Sequence, residues 1–183
     1  MQLSAAVHPD RVRGDGVDAA RVAEATREFA ALNGACRQLS EPRERLRHLL
    51  ELERGQPPVG LGQAPAELAD LFFRVGQLGR AAEQTLARKA NATSPMAKAQ
   101  SFKESLDVTA RLQDLIREIQ SRVQTIEGVL RSLVQPWASA PPPGHPDRLQ
   151  ALPLAELEVA ARDLGYLSRW QAQLQERLVN LAI

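Results

Sequence analysis

Apolar residues recur along this chain in a helical rhythm rather than a strand rhythm. In a first segment, Val17 to Leu39, the residues Val22, Ala25, Phe29, Leu32, Cys36 and Leu39 stand three or four apart and share one helix face. Asp15 or Asp18 is placed to cap its start. A second segment follows Pro42, which suits a first helical turn because its missing N–H has no partner there anyway. Leu46, Leu49, Leu50 and Leu52 give it an apolar face, and Gly55-Gln56-Pro57-Pro58 stops it.

Three longer segments follow. One opens at Pro65, runs to about Ala90, and carries Leu68, Leu71, Phe72, Val75, Leu78, Ala82 and Leu86 as its stripe. Gly76 and Gly79 lie inside it and cost helix stability, so close approach to a neighbouring helix is expected there. Phe72 and Phe73 are adjacent and cannot both face one core. The next opens at Ser94-Pro95, a cap followed by proline at the first helical position. Its stripe is Phe102, Thr109, Leu112, Ile116, Ile119, Val123, Ile126, Leu130 and Leu133, alternating in steps of three and four from Thr109 as a heptad seam does. Pro136 and Trp137 are expected to end it. The last segment follows Pro153, with Leu157, Leu164, Leu167, Trp170, Leu174, Leu178 and Leu181 inward.

The prolines support this partition. None occurs between Met96 and Gln135 or after Pro153, as two long helices require. The expected fold is all-α: a helical hairpin in residues 1–55, then an elongated antiparallel three-helix bundle in residues 60–183. The bundle helices are expected at about 65–90, 95–135 and 154–182. Residues 136–153 form a proline-rich connector, read around Ala138–Gly144 as stiff and extended.

Composition sharpens the class. Leu, Ala, Arg, Glu and Gln dominate the 183 residues and only 4% are aromatic, which disfavours an all-β fold. One cysteine, Cys36, allows no internal disulfide and no cysteine-based zinc site. It reads as a small core residue in a protein of a reducing compartment, the cytoplasm. No secretory signal and no apolar run long enough for a membrane span is apparent, so no membrane partner is expected. Twenty of the 23 basic residues are arginine. Net charge is zero over 1–60, +2 over 61–135 and −1 over 136–183, which is no footprint for a nucleic-acid partner.

Catalytic chemistry is hard to place. His8, His48 and His145 are not paired at metal-ligand spacing, and Gly14-Asp15-Gly16 lacks the lysine of a phosphate loop. His48 reads as a partly exposed helix residue. No enzyme activity and no cofactor is expected.

One short motif has a context. His8-Pro9-Asp10-Arg11 is followed by a polar, glycine-containing loop. Then comes Phe29-x-x-Leu32-Asn33-x-Ala35-Cys36-x-x-Leu39-Ser40-Glu41-Pro42-x-x-Arg45, and then His48-Leu49-Leu50-Glu51-Leu52-x-x-Gly55. Over some fifty residues this resembles a J-domain: the His-Pro-Asp loop, helix III with its Asn-x-Ala-Tyr and Pro-x-x-Arg, and a Tyr-Leu-Leu-x-Leu-x-Gly ending. That ending is characteristic of the HscB-type J-proteins, co-chaperones of iron–sulfur cluster assembly. A second copy, His145-Pro146-Asp147-Arg148, has no helix III pattern behind it and reads as coincidence.

The resemblance implies a mechanism. His8, Pro9 and Asp10, with Arg11 beside them, would dock on a heat-shock ATPase chaperone and trigger its hydrolysis of ATP. In that family the first helix of the following bundle presents apolar residues, flanked by acids, to the iron–sulfur scaffold protein. Leu71, Phe72 and Val75 stand at those apolar positions here, while the acidic positions are not recognisable. Only seven residues precede His8, so the module is expected to lack helix I. Cys36 stands where the family has tyrosine, and Leu46 where it has alanine. The alternative is a non-catalytic interaction module, in which the long bundle serves partner binding or a homo-oligomer and the J-domain is a remnant.

Overall fold

The computed structural model describes residues 19–58 and 65–182, and among these all regular structure is helical. The chain divides into two compact units, Met1–Pro57 and Pro58–Ile183.

In the first unit, α1 (Ala19–Ser40) and α2 (Pro42–Arg54) pack on each other across a one-residue break. The candidate caps Asp15 and Asp18 lie outside the described residues. Pro42 takes the first helical turn, and Gly55 ends α2 in the left-handed conformation at φ 71°, its N–H donating to the Glu51 carbonyl at 2.9 Å. Only a residue without Cβ adopts that conformation at little cost, so Gly55 marks the stop. Ala25 and Leu50 are buried.

The expected stripe of α1 holds in its first half and fails in its second. Ala25 is buried and Val22, Phe29 and Leu32 are half-buried, whereas Cys36 and Leu39 are exposed. Cys36 is therefore not a core residue; its Sγ lies 3.9 Å from the Ser40 hydroxyl on the same helix. Leu52 is likewise exposed, while its neighbour Leu50 carries the burial of α2.

In the second unit a 3-10 turn (Ala66–Leu68) leads into α3 (Ala69–Asn91), followed by α4 (Pro95–Ser132) and α7 (Leu154–Ala182). Each of these three helices packs on the other two. Ion pairs give their directions. Arg74 meets Glu118 and Arg88 meets Glu104, so α3 and α4 are antiparallel. Glu83 meets Arg177 and Lys89 meets the Leu181 carbonyl, so α3 and α7 are parallel. The first reversal is made by the sharp turn at Ala92–Ser94, where the Ser94 hydroxyl accepts from the Ala97 N–H at 3.2 Å, and the second by the residues between α4 and α7. The shared core is built on Leu71, Leu78, Leu112, Ile119, Leu167 and Leu174.

The register of α4 differs from expectation before Leu112. Phe102 is 64% exposed, and the inward positions there are Ser101, Ser105 and Val108. A seam of serines carries no hydrophobic signal, so the apolar pattern led to the wrong face. Ser101 satisfies its buried hydroxyl locally, donating to the Lys98 carbonyl at 3.0 Å. Thr85 does the same on α3, donating to Ala81.

α4 ends at Ser132, not at Pro136. Proline at 136 has no N–H for the Ser132 carbonyl and its ring crowds that oxygen, so the ladder breaks there. Pro136 lies instead within a short helix, α5 (Val134–Ala138). The connector is not extended. It runs as consecutive hydrogen-bonded turns, with Ser139 N–H on Gln135, Ala140 on Trp137 and His145 on Pro142, into α6 (Arg148–Ala151).

Close approach occurs at Gly79 but not at Gly76. A Cβ on Gly79 would stand 2.9 Å from Nε of Arg177, whose guanidinium crosses from α7 to Glu83. At Gly76 the nearest group is Arg80 of its own helix, 3.7 Å away. Gly76→Ala should therefore raise stability by about 0.5–1 kcal/mol through helix propensity. Gly79→Ala should gain less, because Arg177 must move off its 2.6 Å bond to Glu83. Urea denaturation of the two variants checks the difference.

The Arg74–Glu118 pair joins α3 to α4 as a fork, with bonds of 2.9 and 2.6 Å. The Arg74 hydrogen bond, with its charge, holds the Glu118 carboxyl below its ordinary value of 4.5. A lowered carboxyl pKa stabilises the fold above the unfolded value, and that contribution disappears as pH falls through the folded one. Glu118→Gln should cost about 0.5–1 kcal/mol at pH 7 for a partly exposed pair. Melts taken at successively lower pH should show the gap closing below pH 4.5.

Candidate functional site

The joint between α1 and α2 carries the residues of the Pro-x-x-Arg element. Glu41 is extended, which turns the chain, and Pro42 fixes φ for the new helix. Arg45 then reaches back: its Nη1 donates to the Leu39 carbonyl at 2.9 Å, and its N–H donates to the Glu41 carbonyl at 3.0 Å. A guanidinium on the last carbonyls of α1 satisfies an oxygen with no helical donor and complements the helix dipole. Glu44 and Arg47 pair on the same face at 2.9 Å. His48 is half-buried. The expected chaperone-docking residues His8, Pro9, Asp10 and Arg11 lie outside the described residues.

The second His-Pro-Asp copy is consumed by local structure. The Asp147 N–H donates to Nδ1 of His145 at 3.2 Å, and the Asp147 carboxylate lies 3.8 Å from the same nitrogen. Arg148 donates to the Pro141 carbonyl and stands 5.9 Å above the Trp137 ring. These four residues close the connector on itself.

The three expected client-facing residues separate in the structure. Leu71 and Val75 are in the bundle core. Phe72 faces outward, 60% exposed, beside Phe73 at 58%. Both phenylalanines thus leave the core, where only one was expected to. Phe72 lies against Trp170 of α7, ring centroids 6.0 Å apart, and Trp170 against Tyr166 at 5.6 Å. Arg169 stacks over Tyr166 at 4.6 Å. Four of the chain's seven aromatic side chains therefore gather at one level of the bundle. Trp170 was legible as inward from its stripe. Its pairing with Phe72 was not, because it depends on the relative stagger of α3 and α7.

Phe72 and Phe73 give this level of the bundle an exposed apolar surface. Among the described residues no group of three or more His, Cys, Asp or Glu side chains is disposed to hold a metal ion. No helix among them is long and apolar enough to cross a membrane. No protein-family model, curated protein or solved structure matches the chain.

Removal of the Arg45 guanidinium should loosen the α1–α2 joint by about 1 kcal/mol, the worth of one charged hydrogen bond near the surface. Amide hydrogen exchange of the full chain carrying Arg45→Ala should show faster opening of α2's first turns, with protection in α3, α4 and α7 unchanged.

Proposed function

We propose that this chain is a J-domain-type co-chaperone of the HscB kind, acting as an adaptor rather than an enzyme. The observation that carries the reading is the α1–α2 joint. Behind a His-Pro-Asp sequence stands a long helix, a one-residue break, and a second helix opened by Pro42 and tied back by Arg45. Pro42 and Arg45 of the resembling motif thus each have a structural task in the joint. A separate unit with three long helices follows, the order of parts found in that family.

In this reading, His8, Pro9 and Asp10 engage a heat-shock ATPase chaperone. Pro9 restricts the loop, and the Asp10 carboxylate takes a charge-assisted bond from a basic group of the chaperone. The chaperone performs the hydrolysis. The three-helix unit carries the client, for which an iron–sulfur scaffold protein is the class the resemblance implies. Phe72 and Phe73, both more than half exposed, are the apolar contacts free on this stretch of α3, since Leu71 and Val75 are buried.

The same exposed phenylalanines favour a second reading, an interaction module that associates with itself through that surface. One pair of measurements separates the two. In a steady-state ATPase assay with a heat-shock chaperone of the same organism, this chain should raise the rate several-fold, and His8→Gln should return it to the basal rate. No stimulation, together with a dimer in sedimentation that Phe72→Ser dissociates, would establish the second reading instead.

A further inference from the structure

Arginine and lysine have different tasks in residues 65–182. Most arginines there are tied to the chain's own carboxylates, between helices at Arg74, Arg88 and Arg177 and along one helix at Arg111, Arg117, Arg122 and Arg131, while Arg148 and Arg169 bond backbone carbonyls. Lysines are not. Lys89, Lys98 and Lys103 are the only three in the sequence, and among the described residues none has a carboxylate within ion-pair distance. All three lie at one end of the bundle, in the last turn of α3 and the first turns of α4.

Two of them line a groove of about 520 Å³ between α4 and the end of α7. Its walls include Phe102 and Leu106 from α4 and Leu181 from α7, with Ser105 among them. Phe102 is 64% and Leu106 55% exposed, one helical turn apart. Lys89 is held at the rim by its 3.4 Å bond to the Leu181 carbonyl, and Lys98 stands one turn before Phe102. Among the described residues no Asp or Glu side chain lines this groove. Lys103 belongs to a different groove, shared with Glu104 and Asp107. Apolar walls with an uncompensated positive rim are complementary to a ligand that is apolar at its centre and anionic at its edge.

We propose that this groove is a docking site for an acidic amphipathic segment of a partner protein. An apolar side chain of the segment enters between Phe102 and Leu106, and its flanking carboxylates reach Lys98 and Lys89. A protein segment fits better than a lipid surface, because the apolar area is recessed between two helices and takes an inserted side chain rather than a flat face. The site lies at the far end of α3 from Phe72, about 25 Å along that helix at ~1.5 Å per residue. It does not depend on the co-chaperone reading.

The test is an NMR titration of the isotope-labelled full chain. The probe is a synthetic peptide with Leu and Phe four residues apart, surrounded by glutamates. Shifts should concentrate at Ser101–Thr109, Leu181 and Ala182, and binding should weaken with added salt. Lys98→Glu should weaken binding about tenfold, while Lys98→Arg keeps it. Phe102→Ser should weaken it without lowering the melting temperature, since that side chain is exposed. Absence of shifts at these residues, equal binding of the glutamine version of the peptide, or an unaffected Lys98→Glu variant would each overturn the proposal. So would co-sedimentation with phosphatidylserine vesicles that requires Lys98 while the peptide leaves the groove unperturbed, because the ligand would then be a lipid.

Discussion

None of the three long helices in residues 65–182 can bury its apolar stripe by itself. Leu71 and Leu78 of α3, Leu112 and Ile119 of α4, and Leu167 and Leu174 of α7 meet along one axis, and most of them are almost fully out of water. A leucine at such a position is worth about 2–5 kcal/mol against alanine, far more than any surface ion pair. The fork of Arg74 and Glu118, the bond of Arg177 to Glu83 and the Lys89 contact with Leu181 therefore act on a geometry the core has already set. They are matched to the stagger and direction that the core imposes. Stagger in turn decides that Phe72 meets Trp170 and that Lys89 reaches the end of α7.

The elements were legible wherever burial is carried by large apolar residues and the ends by prolines or caps. The Ser94-Pro95 start, the Pro42 start, the Gly55 stop and the inward leucines of α7 all belong to that class. Two kinds of position were not legible. Where the inward residue is small and polar, as at Ser101, Ser105 and Thr85, hydropathy points to a neighbouring face, and Phe102 was drawn inward for that reason. Where a stripe outlasts its partner, spacing alone overstates burial, as at Cys36, Leu39 and Leu52. Pro136 was read as an endpoint, but its effect falls four residues earlier, on the carbonyl it cannot serve.

The candidate sites divide along the same line. The α1–α2 joint could be read from sequence because proline and arginine at fixed spacing act locally, within one turn of the break. The set expected to face a client mixed two classes: Leu71 and Val75 obey the stripe and are core, whereas Phe72, adjacent to Leu71 and so turned off the core, is exposed. The lysine-rimmed groove left no motif, because its walls come from α4 and α7, some seventy-five residues apart in sequence.

The two His-Pro-Asp copies show why a tripeptide gains meaning only from its surroundings. At His145 the backbone N–H of Asp147 is spent on the histidine ring, and Arg148 is engaged by the Pro141 carbonyl and the Trp137 face. Groups consumed in closing a turn present little to a partner. The copy at His8 is followed instead by a helix whose far end is locked to the next helix by Arg45. The α1–α2 joint thus ties two helices together, whereas the connector around His145 closes only on itself.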